Sequence, residues 1–332
     1  MLKPAYKLTI GRKLIDTTDE PKASTVVDLQ VALDLDAPAD SFTFVMGNVG
    51  SFRPARDDET KIELGYADNG GFKQVMTGKV VNVEPNLTTT RVAGFSGADA
   101  LLRTFVNKTY ENKTAGAIVR DLADKARIQV ATAADGITFP AYVIDGRRSV
   151  YLHMHDLAEL SGFDVYIDTE GKLVFEKFLN GKTVHVFEFA KHIVALNVDR
   201  TPPLAGLVEA WGESAAGNRG EDAWAWLTTD FSAAKGSAGS GALLLRERPV
   251  LRTKEAARTA AEAALTNINR RTLRGQVVTF GRPEVRLGDS IRFRGMADDS
   301  LNTLFQVRSV SHRITKVAGF TTTVGFRAIQ TP

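Results

Sequence analysis

Two stretches of this chain, more than two hundred residues apart, carry the same short blocks in the same order. Val80-Val81-Asn82-Val83, Leu87 and Val92-Ala93-Gly94-Phe95-Ser96 recur as Val307-Arg308-Ser309-Val310, Ile314 and Val317-Ala318-Gly319-Phe320-Thr321. The first blocks are offset by 227 residues and the second by 225. Upstream, Ile62-Glu63-Leu64-Gly65 has a counterpart in Ile291-Arg292-Phe293-Arg294-Gly295. Each block reads as strand, turn, strand, so order and near-constant offset predict a duplicated β module with an insertion between its copies. Two similar barrels in one chain, repeated about a threefold axis, present six similar barrels in a ring. Such a ring can join a threefold partner to a sixfold one.

The rest of the chain fits that frame. Tyr6, Leu8 and Ile10 alternate with polar neighbours, as do Val27, Leu29, Val31, Leu33 and Leu35, which is the period of half-buried strands. Phe42-Thr43-Phe44-Val45, Ile62 to Tyr66 (running into the Asp68-Asn69-Gly70-Gly71 turn), Val75 to Val83 and Arg91 to Phe95 make about six strands in residues 1–96. Residues 97–200 change character. Thr114 caps a predicted helix carrying Ile118, Val119, Leu122, Ala123 and Ala126. Ser149 caps a second, which carries Val150, Met154, Leu157, Ala158 and Leu160 and stops at Gly162. A hairpin follows from Phe163 to Phe175 through Glu170-Gly171, and Val184 to Phe189 and His192 to Val198 add strands before Thr201-Pro202-Pro203. In residues 201–332, Leu207 to Trp211 and Trp224-Ala225-Trp226 read as strands and Ser232 to Gly241 as a flexible loop. Thr253 opens a long helix over about 253–271. Its stripe is Ala256, Ala257, Ala260, Ala261, Ala264, Leu265 and Ile268, small enough for close packing on a sheet. Gly275 to Phe280, Ser290 to Phe293, Phe305 to Ser311 and Thr321 to Phe326 return to strands, with Phe280 and Phe293 read as core. The expected fold is α+β, mainly β: two similar tube-like β-barrels at 1–96 and 201–332 with a small α/β domain inserted at 97–200.

Composition narrows the chemistry. The chain has no cysteine, which removes disulfide scaffolds, thiol catalysis, iron–sulfur clusters and cysteine zinc sites. No run approaches 18 apolar residues, and the N-terminus does not read as a secretory signal. His153 and His155 on the helix starting at Ser149 point about 200° apart and cannot share an ion as i, i+4 histidines do. Asn180-Gly181-Lys182-Thr183 lies between strands and reads as a hairpin turn instead of a phosphate loop, and Gly94-Phe95-Ser96-Gly97 has the wrong spacing for a nucleophile elbow. Asp57-Asp58-Glu59 reads as a solvated loop. No catalytic, cofactor or metal residue is assigned, and the expectation is a protein that is not an enzyme. The net charge of +3 hides twelve Lys/Arg against five Asp/Glu between Arg246 and Arg294.

Several segments resemble phage late control D proteins, the baseplate hubs of contractile tails and related injection machines. Phe42-Thr43-Phe44, Lys61 to Tyr66 and Thr77-Gly78-Lys79-Val80 resemble their opening barrel, and Leu157 to Phe163 running into Leu173-Val174-Phe175 resembles their inserted domain. Thr253 to Arg271, Gly275 and Arg286-Leu287-Gly288-Asp289-Ser290-Ile291 are similar to their second barrel. The resemblance implies a homotrimeric symmetry adaptor that caps the hexameric inner tube or its initiator and holds a trimeric spike. Baseplate wedge and tape-measure proteins are further implied partners, with DNA or cargo passing through the lumen and assembly in the bacterial host cytoplasm. Type VI secretion spike proteins, also similar, continue into a needle-like repeat. Here the chain ends at Pro332 after the second barrel, so the spike is expected to be a separate chain. Within the hub reading, the Arg246–Arg294 region is expected to form a basic lumen wall, with Arg270 and Arg271 as its test positions. Two other readings compete: a tail-associated cell-envelope hydrolase using Glu159, Asp164 or His155, and a DNA-binding module using the arginine-rich half.

Overall fold

The computed structural model describes residues 3–17, 26–47, 53–68, 71–212 and 235–329. Trp224-Ala225-Trp226, the Asn69-Gly70 step of the first hairpin turn and the start of the Ser232–Gly241 run lie outside them. The first β set comprises β1 (Pro4–Ile10), β2 (Lys13–Asp16), β3 (Val26–Asp34), β4 (Ser41–Gly47), β5 (Glu59–Tyr66), β6 (Gly71–Pro85) and β7 (Thr89–Phe95). Next come α1 (Ala98–Arg103), β8 (Lys108–Thr114), α2 (Ala115–Lys125), β9 (Val130–Ala133), β10 (Thr138–Ile144), α3 (Val150–Ser161), β11 (Asp164–Ile167) and β12 (Leu173–Glu176). The second β set opens with β13 (Val184–Glu188) and β14 (Ile193–Arg200). An excursion follows through β15 (Leu207–Trp211), β16 (Gly236–Gly239), β17 (Leu243–Glu247) and α4 (Lys254–Arg270). The set closes with β18 (Leu273–Phe280), β19 (Ser290–Arg294), β20 (Leu304–Thr315) and β21 (Gly319–Ala328). The fold is mainly β.

The duplication is legible in the strand order. The first set runs β3-β4-β7-β6-β5-β1 and the second runs β14-β18-β21-β20-β19-β13. The two orders match strand for strand, except that β2, beyond β1, has no counterpart and that β1 pairs β5 antiparallel while β13 pairs β19 in parallel. A bulge marks the same place in each set: the β6·β7 register slips between Val80 and Asn82, and the β20·β21 register slips between Val307 and Ser309. Val81 and Arg308 are therefore equivalent, as the first sequence block requires. The second block is not equivalent. Val80 pairs with Gly94 but Val307 pairs with Phe326, because the β20·β21 hairpin is longer. Gly94 thus sits inside β7, whereas Gly319 takes φ +73° to open β21.

Both sets join one 13-stranded sheet through an antiparallel seam in which Ser309–Thr315 of β20 pairs with Asp34–Asp28 of β3. They share one apolar core running from Tyr6 to Ala328, with Phe293, Phe305 and Phe326 packed 4.9–5.4 Å apart in the second half. A register slip between Val26 and Asp28 puts Val26 in the core and leaves Val27 exposed, shifting the start of the alternation read from sequence. Phe293 is core as expected; Phe280 is 61% exposed.

The helices build a second core. Thr114 accepts a hydrogen bond from the Ala117 N–H, and Thr253 one from the Ala256 N–H, so both predicted caps form. Gly162 ends α3 in the left-handed conformation, but the Ser149 side chain makes no cap bond. The alanine stripe of α4 packs into the cluster formed by α1 to α3 and their strands, not into the large sheet's core. The excursion 201–272 thus belongs spatially with the α/β part, while β13 and β14, which the sequence placed with the insertion, pair in the large sheet. Asn180 to Thr183 makes a turn but no hairpin, since it carries the chain from β12 in one sheet to β13 in another.

Asp40 lies where the β3–β4 turn meets α3. Asp34 donates its N–H to Asp40 Oδ1 at 2.9 Å, and the Tyr151 hydroxyl donates to the Ala37 carbonyl nearby. Burial pushes the Asp40 carboxyl up to about 7, with Asp34 adding repulsion. The folded value exceeds the unfolded one of about 3.9, so the native state holds the proton longer. Stability from this group is present at low pH and is lost as pH rises from about 4 through about 7. Asp40→Asn keeps an acceptor for Asp34 and is expected to flatten that slope and exceed wild type above pH 7 in urea melts.

Candidate assembly interface

The seam between β20 and β3 shows what these strands are built to do: a strand of one set lies beside a strand of the other. By the matched order, β20 corresponds to β6 and β3 to β14. The counterpart edges are open. Beyond Lys79, β6 is paired only with β7, so Asn82–Pro85 has no strand partner on its second side among the described residues. β14 pairs β18 on one side and, among the described residues, nothing on the other. An unpaired row of backbone N–H and C=O groups is a template for another strand.

The internal register transfers to these edges. The row Ala32, Ser41, Phe95, Lys79 in the first set corresponds to Asp199, Arg274, Arg327, Gln306 in the second. Ser311, three residues past the bulge, corresponds to Glu84. Since Ser311 lies opposite Ala32, Glu84 is matched with Asp199. Glu84 faces Arg91 across β7, and Asp199 faces Arg274, which bonds it at 2.9 and 3.0 Å.

The remaining sequence candidates are engaged elsewhere. His153 is buried with Nε2 3.2 Å from the Asp145 carbonyl, while His155 is exposed, so the two point apart as expected. His155, Asp156 and Glu159 do approach one another within 4.8 Å, yet Asp156 pairs with Arg148 at 2.7 Å and Glu159 with Arg246. Asp164 is ion-paired to Arg308. Asp58 closes its turn by accepting the Ala55 N–H. His312 is fully buried beside Thr322, and burial pushes its pKa to about 3, leaving it uncharged at neutral pH. Among the described residues, no helix is long and apolar enough to cross a membrane.

The arginine-rich segment does not form one surface. Arg246 faces α3 and Arg282 pairs with Glu284. Arg271 and Arg274 instead line a cleft with Arg308 and Arg327, while Arg270 lies behind it over the Phe178 ring. Sequence reading missed this cluster: Arg308 lies on the same outward sheet face as Gln306 and Arg327, and the α/β part covers that face through Asp164, which bonds both Gln306 and Arg308.

No protein-family description matches the chain, and no curated protein matches it. Solved structures do. The chain superposes on a 43 kDa tail protein of prophage MuSo2 from Shewanella oneidensis with a TM-score of 0.73 at 14% identity, covering 97% of this chain and 98% of that one. A tail protein from Neisseria meningitidis MC58 gives 0.72 at 12% identity over 99% and 98%. An Escherichia coli component of the type VI secretion system, described as similar to the T4 tail proteins gp27 and gp5, gives 0.63 at 10% identity over 96% and 76%. The chain has the fold of these tail proteins from end to end.

Proposed function

We propose that this protein is a non-enzymatic structural hub of a phage tail or related contractile injection particle. It assembles as a homotrimer and adapts a hexameric inner tube to a separate trimeric spike. The observation that carries this reading is the seam and its two unpaired counterparts. Pairing β14 of one copy with Asn82–Pro85 of the next repeats the β3·β20 seam between chains, and three copies alternate three internal seams with three external ones. The ring then has near-sixfold symmetry on a threefold frame, which is what a tube-to-spike joint requires. Likeness to tail proteins and to a type VI secretion component supports a place in such a particle.

The absence of native cysteine makes the test clean. Glu84→Cys combined with Asp199→Cys is expected to oxidise into covalent dimers and trimers, as directly opposed strand residues lie within disulfide reach. Ala32→Cys with Ser311→Cys is the internal control and should close within one chain. Interchain species absent while the control oxidises would count against the ring.

A further inference from the structure

The cleft that gathers the arginines holds more positive charge than its carboxylates balance. Arg271, Arg274, Arg308 and Arg327 line a cavity of about 550 Å3 together with Asp36 and Asp199, and a neighbouring cavity of about 210 Å3 shares Asp36, Arg271, Arg308 and Arg327 and adds Asp164 and the Glu159–Arg246 pair. The carboxylates are already taken. Arg274 holds Asp199 with two nitrogens, and Arg308 spans Asp164 at 2.6 Å and Asp36. Arg327 is left with Gln306 Oε1 at 3.1 Å and stands 3.9 Å from Asp164, although its side chain is only 9% exposed. Arg271 has no ion pair among the described residues. Behind them, Arg270 lies over the Phe178 ring and donates to the Ile329 carbonyl. Burial pushes the Arg327 guanidinium down to about 10, with Arg308 and Arg270 adding repulsion.

Unbalanced cations in a half-buried cleft are costly unless an anion meets them, and planar guanidinium forks match oxygens of carboxylate or phosphate in pairs. We propose that this cleft binds an oxyanion, a carboxylate or phosphate group, between Arg271 and Arg327. The cavity is large enough to admit such a group on a larger molecule. Arg271 follows α4 and Arg327 lies in β21, so the bound group would clamp the α/β part to the large sheet. The arginines of the site all belong to one chain, and its rim at Asn197 and Asp199 lies on the β14 edge that the proposed ring would pair.

Thermal unfolding and calorimetric titration of the wild-type chain test this, with inorganic phosphate and acetate as probes and sodium chloride at matched ionic strength as reference. Saturable stabilisation by phosphate, acetate or both, beyond that of chloride, is expected; the stronger probe tells which group the site takes. Arg271 is exposed, so Arg271→Gln should fold normally and bind about tenfold more weakly, the effect of one charge-assisted contact. Arg313→Gln, at a surface pair with Asp28, should bind as wild type. Equal shifts with chloride, or unchanged affinity in Arg271→Gln, would overturn the proposal.

Discussion

Asp164→Ala lowers the stability of this protein by about 3–5 kcal/mol, the range found when one partner of a buried ion pair is removed. Asp164 accepts from Arg308 and from Gln306, each at 2.6 Å, and stands 3.9 Å from Arg327. The three charged side chains are 9–12% exposed. Without the carboxylate, two arginines remain buried with Asp36 as their nearest anion, and Asp36 itself is 60% exposed. Asp199→Ala, by contrast, removes a pair that is half exposed on both sides and costs no more than about 1 kcal/mol. Denaturant midpoints of the two variants, measured side by side, separate these cases. Equal losses would show that the buried network does not hold the α/β part to the sheet.

Gly236→Ala is the second large effect, because the glycine has no room for a methyl group. A Cβ at that position would lie 2.0 Å from the Arg258 backbone N and 2.2 Å from the Ala257 carbonyl carbon. Those are helix backbone atoms, so relief requires α4 to move off β16 as a unit. Overpacking of this kind costs about 1–3 kcal/mol or more. Hydrogen exchange should report it as lost protection across Lys254–Arg270, with the β3·β20 seam unaffected. Unchanged protection in α4 would show that the strand, not the helix, gives way.

Gly236 also shows where sequence legibility ends. Its Gly-Ser-Ala-Gly run has the composition of a flexible loop, yet residues 236–239 form a strand against α4, with Gly236 leaving room for the Ala257–Arg258 backbone and Gly239 for Leu265. Composition reports local preference, and here a helix distant in sequence decides. β8 was invisible for a related reason: in Lys-Thr-Tyr-Glu-Asn-Lys-Thr only Tyr110 is buried, so no alternation appears. β1 and β4, each with one buried face, were legible, whereas β10, which buries Phe139, Tyr142 and Ile144, was not. The stripe of α4 was legible as a helix face, but the core it joins was not, since alanines pack equally well on either.

The candidate interface divides in the same way. The Val80 and Val307 blocks align because each spans a bulge at its second residue, and bulge and blocks carry the duplication together. The Val92 and Val317 blocks match by letter while holding different places in their hairpins. Open edges cannot be read from sequence, because an unpaired strand and a paired one alternate alike.

The most direct measurement is the solution mass of the purified chain by light scattering across a range of concentrations. A chain of 36.1 kDa that closes a ring of three predicts a species near 108 kDa, growing in with concentration and going no further. A dimer at every concentration would contradict the threefold ring, because one seam used twice closes four barrels and leaves no match for a sixfold tube.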